Sequence, residues 1–222
     1  VKKAMPVSCI LTLAAAGSEG SNSSVITYKG IKGDLGSEMI RPVFSIMNPE
    51  LTYTVSKYQT GSGTADIFAH TYMRYLTADA SYLCDQYCAG TLKTVIKYGP
   101  IAVNDPTNYE ARAELMLAGS FAHNDLTSIG RSGMPKGGEH GLEVQMSGMY
   151  DTPHGAGLAV GNRADCRGRI VAHAGQRAHV VVTGRENAVE TLRHPAGGRM
   201  QTTGPAVIAQ PLPQLQHFVL GR

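Results

Sequence analysis

Residues 6–13 (PVSCILTL) are mostly apolar and predict a buried strand, which the small-residue stretch AAAGSEGSNSS ends. Shorter apolar runs at 25–28 and 43–47 predict two more strands, the second introduced by Pro42. After Asn48-Pro49 the apolar period lengthens from two residues to about 3.6. Helices are then predicted near 59–76, 81–98, 108–123 and 139–149, with residues 128–138 as a glycine-rich connector. Thr107 and Glu110 have the spacing of a capping box for the third helix. Pro153 and Gly155 break helix, so Asp151-Thr152-Pro153-His154-Gly155 predicts a turn, with His154 opening a further helix. The fold class is therefore an α/β segment followed by an all-α one, dividing near residue 50.

Composition refines this picture in two places. At 222 residues and 42% apolar the chain can bury a sizeable core, as one large domain or two small ones. Its longest apolar runs, such as CILTLAAAG, are too short to span a bilayer. The basic start VKKAMP followed by an apolar run has the outline of a signal peptide, but the run is β-branched and reads as a strand. Four cysteines form no paired CxxC motifs, and Cys84 and Cys88, one helical turn apart, read as packing residues in a reducing cytoplasm.

Charge exposes a break. Residues 1–160 carry 12 Lys/Arg and 14 Asp/Glu; residues 161–222 carry 8 Arg, no Lys and 3 acids. No Tyr follows Tyr150, and Phe218 is the only aromatic residue past Val160. Such a loss of Lys and Tyr with gain of Arg, Gly, Ala and His is what a shifted reading frame in a GC-rich gene gives. A divergent fused domain is the alternative. A nucleic-acid-binding tail is disfavoured, because stacking aromatics and a recognisable motif are missing.

Chemistry concentrates in two spacings. Asp66 and His70 are four apart in the helical stretch GTADIFAHTYMRYL, so both fall on one face. His140 and His154 are fourteen apart; on one straight helix they would be roughly 21 Å from each other. Only a turn between them allows a shared site, and residues 151–155 supply it. One carboxylate with three imidazoles makes a ligand set without thiolate, suited to iron(II) or zinc. Each residue also has a plainer reading: Asp66 and His70 as a surface ion pair, His140 as a loop residue, His154 as a helix cap. His123 reads as structural, and His173, His179, His194 and His217 receive no role.

The stretches QTGSGTADIFAH, GPIAVNDPTNYEARAELM and YDTPHGAGLAV resemble the iron-containing alcohol dehydrogenases, in particular their butanol-dehydrogenase-like branch. The likeness covers about residues 1–160. It implies a dehydroquinate-synthase-like architecture, incomplete at both ends: 1–50 as the end of an α/β nucleotide-binding domain, 51–160 as part of a helical metal-binding domain, and 161–222 as an atypical tail. It implies Asp66, His70, His140 and His154 as metal ligands. Thr12 would lie near the adenine, Lys32 would reach the nicotinamide-side ribose once a two-residue gap is allowed, and Leu51 would pack by the cofactor. Lys32 and Leu51 also have plain readings, as a solvated loop lysine and a core residue.

The implied reaction is reversible hydride transfer between an alcohol/aldehyde pair and NAD or NADP, with Fe2+ (or Zn2+) polarising the substrate oxygen. No protein nucleophile is required, so no catalytic residue is expected beyond the metal site. The implied partners are a small alcohol or aldehyde, with no nucleic acid and no membrane, and a family-like homodimer in the cytoplasm. Two departures stand out: Val144 occupies a position where many members have a histidine, and MPKGGEH stands where a Trp is common. The glycine-rich pyrophosphate loop is not found either, since GSEG and TGSGT lack its βα context. The expectation is therefore a weakly active or inactive piece of the enzyme. The competing reading is a non-catalytic metal-binding helical module whose basic tail binds a partner. A sugar-phosphate cyclase is a third, which the match of YDTPHGAGLAV argues against.

Overall fold

The structure is a computed structural model, and it describes residues 2–29, 31–77, 79, 81–131, 138–168, 179–182 and 189–192. Two small sheets come first. Strand β1 (Cys9–Ile10) pairs in parallel with β4 (Ser45–Ile46), while β2 (Ser23–Tyr28) and β3 (Ile31–Gly36) form an antiparallel hairpin. Five helices follow: α1 (Lys57–Tyr75), α2 (Tyr82–Asn104), α3 (Tyr109–His123), α4 (Gly138–Tyr150) and α5 (His154–Gly168). A last antiparallel pair, β5 (His179–Val182) with β6 (Val189–Leu192), lies beyond them. The α/β-then-helical order expected from the pattern is present.

The strands differ most from expectation. Residues 6–13 yield only the two-residue β1, and 43–47 only β4, because each pairs with the other alone and the ladder stops after Ile10 and Ile46. Strand β3 was not expected, since IKGDLG carries glycine and charge where a half-buried strand would alternate. Its partner β2 specifies it, with Tyr28 paired to Ile31 at the end of the hairpin and Lys29 at a φ of 51°.

Helices hold closer to the pattern, with physical reasons where they depart. Ser56 caps α1 by accepting the Gln59 amide at 3.2 Å. Helix α2 runs six residues past the expected end, through Pro100. Proline there removes a hydrogen-bond donor and costs about 3 kcal/mol in an isolated helix. Past it, Ala102 is buried against Ala111 and Leu115 of α3, a tertiary contact that favours continuing the helix. The expected capping box does not form. Asn108 caps α3, accepting from Ala111 N at 3.0 Å, while Thr107 donates to Asp105 and Glu110 accepts from the Tyr98 hydroxyl.

The core is centred on α1, which packs against α2, α3 and α5. Ile67, fully buried, meets Val95 of α2 and Ala118 and Ala122 of α3. Thr64 and Thr71 satisfy their buried hydroxyls on the carbonyls of Thr60 and Ile67, at 2.8 and 2.9 Å. Cys84 and Cys88 are wholly buried, and their thiols face the carbonyls of Leu126 and Thr127, the packing role expected of them. Among the described residues no helix is long and apolar enough to cross a membrane.

Glycines set how closely the chain approaches α1 and α3. A Cβ on Gly63 would fall deep inside van der Waals contact with the Ala14 carbonyl oxygen. Gly17, at φ 64°, would place one 2.5 Å from the Gly119 carbonyl oxygen. The loop after β1 is thereby clamped onto both helices, with the Ser120 hydroxyl donating to the buried Glu19 carboxylate. Alanine favours a helix interior over glycine by about 1 kcal/mol, but the clash at Gly63 is with backbone and cannot be relieved by a rotamer. Gly63→Ala is therefore expected to destabilise the chain by about 1–3 kcal/mol. Urea unfolding measures it, and a stability gain would show that the Ala14 loop is not clamped.

Candidate metal centre

Asp66 and His70 stand one turn apart on α1, and both are buried, at 3% and 6% exposure. His140 lies in the first turn of α4 and His154 is the first residue of α5. The reversal between those helices is the one expected from the sequence. The Asp151 amide bonds the Ser147 carbonyl at 3.0 Å, and Asp151 takes a left-handed φ of 52°, a conformation Asp tolerates better than most residues. The Pro153 carbonyl then accepts from the amides of Ala156 and Gly157 at 3.0 and 3.1 Å, starting α5.

This turn converges four donors. Asp66 Oδ1 is 3.4 Å from His70 Nε2, 3.5 Å from His154 Nε2 and 4.0 Å from His140 Nε2. Ligand atoms from all four residues lie within 4.8 Å of one another. Asp66 Oδ1 is buried yet accepts no hydrogen bond, and these separations are too long for one. They are instead close to the roughly 3.4 Å between ligand atoms that each sit about 2.0–2.2 Å from one tetrahedral ion. Oxygen and imidazole nitrogen suit iron(II) or zinc, so the residues present fit a divalent metal.

Burial sets the protonation of this cluster. Loss of solvent raises the Asp66 carboxyl to about 6, with the Glu143 charge adding to the rise and His154 opposing it. Burial, then the neighbouring His123, His140, Arg74 and His154, holds His70 well below 6.5. His140 is lowered to about 3 by burial and then by His154, Arg74 and His123. Both imidazoles are thus neutral near pH 7, the state a metal ligand needs.

Two neighbours frame the cluster. Arg74 donates to the His70 carbonyl at 2.8 Å and to Ser128 at 3.1 Å, fixing the last turns of α1. His123 sets its ring edge-on to His70, centroids 4.4 Å apart, and pairs its Nδ1 with the Ser21 hydroxyl at 2.7 Å, in keeping with a structural role. One further residue escaped the sequence reading. Glu143, 2% exposed and one turn beyond His140, pairs its Oε2 with His154 Nδ1. Its i, i+3 spacing puts it on the His140 face of α4, but nothing local points to its contact with His154.

The three expected nucleotide contacts are not gathered in the same way. Thr12 is exposed just after β1, and Leu51 is 42% exposed on a short 3-10 turn (Pro49–Thr52), not buried in the core. Lys32, half-buried on β3, donates to Ser147 of α4 at 2.7 Å, so it is not a free loop lysine. Among the described residues GSEG and TGSGT build no phosphate cradle: Gly17 packs on α3, and Gly63 lies within α1 against Ala14. Val144 is half-buried on α4, while residues 134–137 of the MPKGGEH stretch lie outside the described residues. So do His173, His194 and His217; His179 is described only as the start of β5.

Comparison with known proteins agrees with this geometry. Residues 60–162 match the Fe-containing alcohol dehydrogenase family, C-terminal. NADH-dependent butanol dehydrogenase A of Clostridium acetobutylicum is 42% identical over 163 residues, covering 72% of this chain and 41% of that protein. NADPH-dependent aldehyde reductase YqhD of Escherichia coli is 38% identical over 165 residues, covering 72% and 42%. The solved NADH-dependent butanol dehydrogenase A of Thermotoga maritima superposes with a TM-score of 0.69 at 32% identity, covering 71% of this chain and 40% of that one. The chain belongs to the iron-containing alcohol dehydrogenase family, in its butanol-dehydrogenase-like branch. It spans about two-fifths of the length of these relatives, 41% for the Clostridium enzyme.

Acid should loosen the metal-free chain. His123 is lowered to about 4 by burial, and His70 and His140 are also depressed, whereas in the unfolded chain each takes a proton near 6.5. Between those values the unfolded state binds more protons, so stability falls as pH drops. Asp66 works the other way between about 6 and its ordinary 3.8, but it is one group against three. The melting temperature of the metal-free chain is expected to fall between pH 7 and 4.5. A flat or rising profile would mean that the buried imidazoles are charged in the folded state.

Proposed function

We propose that Asp66, His70, His140 and His154 are the metal ligands of an alcohol dehydrogenase that transfers hydride reversibly between an alcohol/aldehyde pair and NAD(P). The observation that carries this reading is the approach of three Nε2 atoms to a buried carboxylate oxygen that has no hydrogen bond. Asp66 supplies the negative charge, and the imidazoles supply neutral lone pairs. His154, whose side chain is 31% exposed against 11% or less for the other three, marks the side from which a substrate could reach the site. A divalent ion held there supplies Lewis acidity to an alcohol or carbonyl oxygen. Iron is the expected ion, with zinc as the alternative.

The same reading takes residues 1–50 as the end of the nucleotide-binding domain, 51–160 as part of the metal-binding domain and 161–222 as a separate tail. Thr12, Lys32 and Leu51 remain the proposed nucleotide contacts, with Lys32 leaving Ser147 to reach a ribose. A small primary alcohol or its aldehyde is the substrate class, supported by the butanol dehydrogenases and aldehyde reductase among the relatives. A cytoplasmic homodimer belongs to the same proposal.

Metal analysis of the purified 222-residue chain, after anaerobic loading with iron(II) or zinc, tests it directly. One equivalent is expected for the wild type, and Asp66→Asn or His140→Ala should abolish stoichiometric binding without unfolding the chain. Alcohol-dependent NAD(P) reduction by this chain alone is expected to be slight, because its described residues form no pyrophosphate cradle. Failure to bind any divalent ion would sink the proposal.

A further inference from the structure

We infer that Glu143 is a positioning residue of the metal centre, its carboxylate holding the Nδ1–H of His154 so that Nε2 faces the metal; this rests on the ligand assignment above. An imidazole that gives Nε2 to a metal must carry its proton on Nδ1, and that proton needs an acceptor. Glu143 Oε2 is hydrogen-bonded to His154 Nδ1, and Glu143 Oε1 accepts no hydrogen bond. A carboxylate 2% exposed is costly to hold unless it is put to such use. His154 is also the ligand that needs the support most, because packing covers its side chain least.

The backbone keeps a slot for this carboxylate. A Cβ on Gly157 would lie 2.6 Å from Glu143 Cγ and 2.9 Å from its Oε1. Any larger residue would push the carboxylate off His154. Gly155 answers a different need: its Cβ would collide with the Ser62 carbonyl, so it seats α5 on α1. In the stretch His154-Gly155-Ala156-Gly157, the first glycine brings the ligand to Asp66 and the second admits the residue that orients it.

Cobalt(II) serves as the probe, with affinity read by chelator competition and ligand geometry by its visible absorption, on the full chain. Glu143→Leu and Gly157→Ala are each expected to weaken binding by about 10–100-fold and to change the cobalt spectrum. Glu143→Gln should fall between, because its amide oxygen still accepts the proton while the charge is gone. The double variant should bind no more weakly than Glu143→Leu, since both changes remove one contact. A merely space-filling Glu143 would shift the melting temperature of the metal-free chain and leave affinity and spectrum alone. Affinities within about two-fold of wild type for both Glu143→Gln and Gly157→Ala, or losses that multiply in the double variant, overturn the positioning role. No cobalt bound by the wild type overturns the metal assignment itself.

Discussion

A carboxylate oxygen buried without a hydrogen bond is the constraint around which the helices are arranged. Asp66 Oδ1 lies inside the protein among three imidazole nitrogens, and burial keeps His70 and His140 neutral. The neutral rings of His70 and His140 cannot balance a charge whose removal from water costs several kcal/mol. The raised Asp66 carboxyl expresses that imbalance, and a cation at the point faced by the four donors relieves it. Proton and metal therefore compete for the same oxygen. Neutral pH favours the metal, since it lies above the raised Asp66 carboxyl and His70 and His140 have no proton to lose.

Ligand spacing, in turn, depends on how closely backbones approach. Asp66 and His70 come from α1, but His154 reaches them only because Gly155 lets α5 lie against Ser62. Gly63 does the same for the loop after β1, one turn before Asp66. Each glycine weakens its helix by about 1 kcal/mol relative to alanine. Four donors held within 4.8 Å from three helices would not tolerate the extra separation that a Cβ imposes. Intrinsic helix stability is surrendered where site geometry requires it, and packing of Ile67, Val95, Ala118 and Ala122 restores the balance.

The sequence made the ligand set legible because its signals are local. Asp66 and His70 are neighbours by helical period alone, and Pro153 with Gly155 announces the reversal that joins His140 to His154. Glu143 was not legible in that way. Its importance arises from a contact with α5 that no property of α4 predicts, and buried glutamates read as solvated ones until a fold encloses them. The same holds for Lys32, whose bond to Ser147 crosses 115 positions of chain. Pairing likewise decided the strands: β3 exists because β2 lies beside it, and β1 is short because only β4 does. Where local pattern and tertiary packing disagreed, as at Pro100, packing prevailed.

The compositional break after Val160 bears on which part of the chain the site requires. His154 is the last of the four donors, and Glu143 and Gly157, which fit around it, also precede the break. Helix α5 itself continues to Gly168, so the change in composition falls within a helix and not at its end. The family match likewise ends at residue 162, two positions into the altered stretch. Every contact described for the cluster comes from residues on the near side of that point. The arginine-rich remainder can thus differ in origin or fate without altering the four donors, provided α5 keeps its seat on α1. That seat is fixed by Gly155, Leu158 and Ala159, of which the last two are buried at 0% and 5% exposure, all within the first two turns of the helix.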